Sequence, residues 1–324
     1  MLKNKKFLAF VLAFAMVLVL ASCGNNKPAP RTYVADGEYT AFTIEGVTKP
    51  EVTSATVTIK NDKLVAVKFN TTQSNTLKNE DGSTKGYEFK AQSKQELGYA
   101  YHMHYKTYTG SLAEGEAASE EGYKAWLKAN NKLEWFEQVA IIADAIVANG
   151  VESIELADGK FANLAGVTIK DNSYVALAAE AIANAKAGKK VAYATHEDDL
   201  IIATANVNAE GKLSNIVIDT VQGQFSNGAW SFKAQSKQEL GYGYHMHYRS
   251  YTGSLAEGET ASEEGYKAWL KANNKLEWHE QAALIVSAWE ANHNLTATEG
   301  KFPNVAGVTI ADNQYITVLN GLLK

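Results

Sequence analysis

The chain writes one fifty-residue segment twice. Residues 89–138 and 232–281 align at an offset of 143 with five differences: Ala100/Gly243, Lys106/Arg249, Thr107/Ser250, Ala117/Thr260 and Phe136/His279. A repeat of this length constrains the fold more than any local pattern, because one unit must be built and then built again. Such near-identity inside a repeat that has drifted elsewhere reads as recent copying within the gene. Identity within the block therefore says little about role. Retention outside the block says more. Residues 159–174 (GKFANLAGVTIKDNSY) and 300–315 (GKFPNVAGVTIADNQY) align at an offset of 141 between divergent flanks and keep G-K-F-x-N-x-A-G-V-T-I-x-D-N-x-Y.

Each copy carries the same order of expected elements. Residues 52–59 and 64–70 alternate apolar and polar around the turn 60–63, a hairpin signal repeated at 203–208 and 213–219 around 210–212. A helix is expected near 118–130, with Tyr123, Trp126 and Leu127 on one face. A stronger one spans 133–148, striped by Phe136, Val139, Ile142, Ala143, Ile146 and Val147 and closed by Gly150. The retained motif reads as strand, turn and helix start. The helix it opens would bury Tyr174, Leu177, Ala178, Ala181 and Ile182, and its counterpart Tyr315, Val318, Leu319 and Leu322. Strands followed by helices argue an α+β class. The expected division is 33–188 and 189–324, joined near 186–190, and a chain that is 46% hydrophobic can fill two cores.

Within the motif, Gly166 and Gly307 would let a bulky group approach the backbone. Thr168 and Thr309 follow two residues later. Asn172 and Asn313 stand where an N-cap would open the next helix. A small residue, a hydroxyl and a helix N-terminus together suit a phosphate attached to, or held beside, the threonine.

These residues resemble the FMN-binding domain family of bacterial membrane and surface proteins. The resemblance is carried by D-G-E-Y-T at 36–40, V-T-I-K-N-D-K-L-V-A-V at 57–67 and the A-G-V-T of each motif. It implies two small antiparallel sheets with packed helices, each bearing one FMN. The flavin would be esterified through its phosphate to Thr168 or Thr309 by a flavin transferase, with Gly166, Val167, Gly307 and Val308 in the acceptor motif. The chain departs from the family pattern. Ala162 and Pro303 replace the motif's Asp, Ala165 and Ala306 its Ser/Thr, and Val167 and Val308 its Ala. The layout is also similar to two-domain flavin lipoproteins of Gram-positive extracellular electron transfer, through Ser93-Lys94-x-Glu96-Leu97-Gly98-x-x-Tyr101-x-Met103 and then Glu137-Gln138. That likeness implies flavin contacts for Tyr101, Met103, Tyr244 and Met246. It further implies electrons arriving from a membrane NADH dehydrogenase and quinone pool and leaving to ferric iron or other external acceptors.

Other features admit rival readings. In a strand, His102 and His104 of YHMHY would share one side, as would His245 and His247, which suits Zn or Cu only with further ligands. The plainer reading has them lining a flavin pocket or lying exposed. Tyr99, Tyr101, Tyr105, Tyr108 and Tyr123 could stack on a flavin ring, whereas Trp126 and Trp135 suit a core.

At the N-terminus, Lys3, Lys5 and Lys6 precede an apolar run and then Leu20-Ala21-Ser22-Cys23. This reads as a signal peptide over 1–22 with a lipobox, Cys23 as the lipidated anchor on the outer face of the cell membrane, and a tether over 23–32. Cys23 is the only cysteine, so no internal disulfide is expected. Without the leader, 28 basic residues face 36 acidic ones, a net charge of −8, which disfavours nucleic acid as a partner. A non-redox lipoprotein binding a ligand or metal through the YHMHY repeats is the rival expectation. The apolar end of the leader, 15–22, also resembles a peptide pheromone.

Overall fold

Asn61 and Asp62 both take positive φ, 52° and 58°. That is the backbone of a two-residue hairpin turn, and Asn and Asp tolerate it better than most residues. They join β2 (Glu51–Lys60) to β3 (Lys63–Lys78), and β1 (Gly37–Glu45) and β4 (Thr84–Phe89) complete an antiparallel sheet in the order β1-β2-β3-β4. After it come α1 (Lys94–Leu97), α2 (Tyr105–Thr109), α3 (Glu120–Ala129), α4 (Trp135–Asn149), the two-residue strands β5 (Leu156–Ala157) and β6 (Lys160–Phe161), and α5 (Tyr174–Ala187). The second half follows the same plan. It has a three-stranded antiparallel sheet of β7 (Lys189–His196), β8 (Asp199–Val207) and β9 (Leu213–Val221), and a hairpin of β10 (Gly223–Ser226) and β11 (Ala229–Phe232). Then come α6 (Lys237–Leu240), α7 (Tyr248–Thr252), α8 (Glu263–Ala272), α9 (Trp278–Glu290) and α10 (Tyr315–Gly321). This computed structural model describes residues 31–324. The expected leader, Cys23 and nearly all of the tether lie outside the described residues. The α+β class with antiparallel sheets is as expected.

One face of each sheet packs on helices. Tyr39, Ala55, Val57 and Phe69 meet Ile142, Ile146, Leu177 and Ala181 in the first half. Ala203 and Ile218 meet Trp278, Ile285, Tyr315 and Leu319 in the second. Each fully buried aliphatic or aromatic side chain contributes about 1.5–3 kcal/mol. The expected stripes of α4 and α5 are the buried ones, although Phe136, Val147 and Ile182 are only half-buried. A buried tyrosine ties the two helices together: Trp135 Nε1 donates to Tyr174 Oη at 3.0 Å, and Trp278 Nε1 to Tyr315 Oη at 3.3 Å.

A third cluster, including Val52, Tyr87, Phe89, Leu200 and Trp230, draws on both halves. Residues 32–324 accordingly form one compact unit. The halves meet through matching residues. Counting from Ala55 opposite Phe69 and Ala203 opposite Ile218 places Tyr39 against Lys190 and Phe42 against Tyr193 in the repeat. These same pairs touch: Lys190 Nζ lies 4.4 Å above the Tyr39 ring, and the Phe42 and Tyr193 rings are 4.9 Å apart. The N–H of Phe89 donates to Glu197 O of the second half, and that of Trp230 to Val47 O of the first. Only Gly188 (φ 66°) separates α5 from β7, so the junction is shorter than expected.

Candidate functional site

Thr168 and Thr309 sit in loops. Between β6 and α5 the backbone forms one isolated bridge, Lys160 to Lys170, so V-T-I is no strand. Backbone bonds close the loop at both ends: Ala162 N to Glu155 O, and Asp171 N to Gly159 O, each 2.8 Å. Gly166 (φ 84°) and Gly307 (φ 85°) need their lack of Cβ. A Cβ on Gly166 would lie 3.2 Å from Leu133 Cδ1, and one on Gly307 3.1 Å from Leu276 Cδ1. The Cβ direction at each glycine thus faces a leucine that precedes the neighbouring helix, while both glycines stay exposed.

The threonine is held by a residue that motif reading did not single out as a site residue. Gln138, buried on α4, accepts three hydrogen bonds at Oε1: from Thr168 N (2.7 Å), Thr168 Oγ1 (3.2 Å) and Ile169 N (3.1 Å). Gln281 repeats this with Thr309 N (2.6 Å), Thr309 Oγ1 (3.3 Å) and Ile310 N (3.1 Å). The amide orientation follows from its partners, since Gln138 Nε2 donates to Leu133 O at 2.9 Å and Gln281 Nε2 to Leu276 O at 3.0 Å. The same nitrogens reach Met103 Sδ (3.8 Å) and Met246 Sδ (3.6 Å). Thr168 and Thr309 nevertheless remain exposed. The one sequence signal for Gln138 was its place in the Glu137-Gln138 pair.

YHMHY is a turn, which overturns the strand geometry. Residues 98–101 form a 3-10 turn, and His102 and His245 take left-handed φ of 59°. The cause is Glu134, a fully buried carboxylate that caps α4. It accepts from Met103 N (3.0 Å), Trp135 N (2.8 Å) and the Tyr123 hydroxyl, so the chain must bend to deliver these donors. Glu277 does the same for Met246, Trp278 and Tyr266. Burial, and then the bond to the carboxylate, push the Tyr123 and Tyr266 hydroxyls well above the usual tyrosine range. His102 stacks on Tyr105 at 4.4 Å, whereas His104 Nε2 lies 3.2 Å from Leu133 O. His245 and His247 repeat both contacts. Among the described residues no group of three or more His, Cys, Asp or Glu could hold a metal ion.

Tyr101, Met103, Leu164, Val167 and Ile169 are half-buried apolar residues packed against the first core, as are Tyr244, Met246, Val308 and Ile310 against the second. Behind Tyr101 lies Lys94, nearly buried, with Nζ 5.2 Å from the Tyr101 centroid, 5.8 Å from that of Trp135 and 3.5 Å from Glu51 Oε2. Desolvation lowers the Lys94 pKa against the pull of Glu51, and burial pushes Tyr101 up to about 12. Tyr108, Tyr123 and Leu127 form a separate local cluster with Trp126 beside it, and Trp135 is core.

Asn172 is not the N-cap. Its Nδ2 donates to the buried Thr53 Oγ1 at 3.0 Å. The cap position falls on Ser173, or Gln314 in the second copy, in left-handed conformation without a side-chain bond to the helix start. Asp171 Oδ1 instead accepts from Val175 N (3.1 Å), and Asp312 Oδ1 from Ile316 N (3.0 Å). Carboxylates thus occupy the helix starts expected to receive a phosphate. Among the described residues no side-chain hydrogen bond ties Asn313 to a partner as Thr53 ties Asn172.

A polar cleft of about 660 Å³ opens elsewhere, between the face of β2 and β3 and the second half, lined by Ser54, Thr56, Asn70 and Tyr193. A smaller one of about 430 Å³ lies beside Tyr101 and Leu97. Neither includes Thr168 or Thr309. No helix among the described residues is long and apolar enough to cross a membrane. Comparison with protein-family models, with curated proteins and with solved structures found no match.

Proposed function

We propose that this chain is a lipid-anchored extracellular carrier with two FMN-binding-like domains, 33–188 and 189–324, each bearing one FMN esterified to Thr168 or Thr309. The observation that carries the reading is the twofold occurrence of an exposed threonine whose hydroxyl is bonded to a buried glutamine that also touches a methionine sulfur. The donor set fits a group attached through oxygen. The N–H groups of Thr168 and Ile169 are already bonded to Gln138, and Asp171 takes a helix-start N–H. A phosphate would therefore gain little from charge or free amides, and a covalent bond is what would retain it. The half-buried tyrosine, methionine and aliphatic side chains of each half offer apolar surface for a flat ring. FMN, when bound, supplies one- and two-electron chemistry, and the chain supplies attachment and surroundings.

In this reading a flavin transferase loads both threonines despite Ala162 and Pro303. Electrons would come from a membrane NADH dehydrogenase and quinone pool and pass to ferric iron or other external acceptors, while Cys23 holds the protein at the membrane. A non-redox ligand-binding role is the second reading, and the polar cleft favours it. Co-expression of the mature chain with a flavin transferase, followed by intact mass and visible spectrum, decides between them. Two added FMN units, each less one water, with colour surviving denaturation, support the flavin reading. Thr168→Ala and Thr309→Ala should each remove one unit. Absence of any adduct overturns it.

A further inference from the structure

The geometry points to Gln138 and Gln281 as positioning residues for modification of the threonines, a role that rests on the flavin reading above. A glutamine amide buried without partners is costly, so it must bond to something. Here its oxygen is committed to the hydroxyl as well as to two backbone N–H groups. A loop needed only for packing would be held by the two backbone bonds. The third bond sets the hydroxyl. With its proton directed inward at Oε1, the threonine turns its oxygen lone pairs toward solvent, where an incoming phosphorus must arrive. The two backbone bonds keep that oxygen from moving with the loop, which lowers the cost of reaching a reactive geometry.

The step itself is a phosphoryl transfer from a flavin dinucleotide. A bond forms between Thr168 Oγ1 and the flavin-side phosphorus, and the pyrophosphate P–O bond breaks. A nucleoside monophosphate leaves with the electron pair. The hydroxyl proton goes to a base on the transferase, because an amide oxygen is too weak a base to keep it. Gln138 therefore orients the nucleophile and does not deprotonate it.

Thr309 in the same molecule is the internal standard. The full mature chain with Gln138→Met is loaded by transferase and flavin dinucleotide, and initial rates at the two threonines are read by peptide mass. The Thr168-to-Thr309 ratio should fall about ten-fold or more. Gln138→Met also removes the two loop bonds and can raise the transferase KM for the Thr168 site, so the positioning role is read from the fall in turnover. Gln138→Glu keeps an acceptor oxygen for the threonine but sets its second oxygen against Leu133 O, so it should restore only part of the ratio. Gln281→Met should invert the ratio. An unchanged ratio in Gln138→Met, or a fall that lies in KM alone, overturns the positioning role. A wild-type chain that takes up no flavin overturns the reading beneath it instead.

Discussion

The two halves agree around the threonines and disagree along the edge where the inner strands β2 and β8 begin. Every link from α4 to the Thr168 loop and to the YHMHY turn recurs from α9, within 0.2 Å for each hydrogen bond of the glutamine. At the edge, register places Glu51 and Asp199 at matching positions. Glu51 pairs with the buried Lys94, but Asp199 is one methylene shorter and accepts from Gly223 N instead. Lys237 still lies over Tyr244 and Trp278, yet among the described residues it has no carboxylate within 4.0 Å. Asn70 and Asp219 likewise match, each accepting from the following residue and from the start of a short helix. Burial raises the pKa of both Asp199 and Asp219. The difference teaches that the unit tolerates new charges at its edge while the geometry of the threonine stays constant.

The largest test of this equivalence is Glu134→Ala against Glu277→Ala. Each strands three donors in a buried place and should lower unfolding free energy by about 3 kcal/mol or more in denaturant titrations. Unequal losses would break the equivalence. The seam comes next. Lys190, nearly buried, bonds to Glu38 O (2.8 Å) and Lys324 O (2.6 Å), and desolvation lowers its pKa from 10.5 to about 8. Between these values the unfolded chain binds more protons than the folded one, so stability should rise with pH from about 8 toward 10.5. Lys190→Met should flatten that rise, read below pH 10 before tyrosines ionise. Gly166→Ala should cost about 1–2 kcal/mol, and Gly307→Ala slightly more because two leucines crowd its Cβ, at 3.1 and 3.3 Å. Smallest is the exchange of edge carboxylates: Asp199→Glu should gain, and Glu51→Asp lose, roughly 0.5–1 kcal/mol.

Periodicity located what periodicity controls. The hairpin at Asn61-Asp62 and the stripes beginning at Val139 and Tyr174 were legible because apolar spacing and turn residues act locally. YHMHY misled because alternation in five residues carries no information about a carboxylate thirty residues later, and Glu134 decides its shape. Asn172 has the right chemistry for a cap but is taken by Thr53 from a distant strand, leaving Asp171, one residue earlier, to accept from the helix. Gln138 was legible only as a member of a resemblance. Its role depends on a loop that follows it by thirty residues, which no local window spans.

The single glycine between α5 and β7, with matching residues meeting across the seam, has a mechanical consequence. There is no linker whose length could set how far apart the halves wander. Thr168 and Thr309 belong to one compact body, so the distance between them is set by how the two halves pack rather than by the reach of a tether.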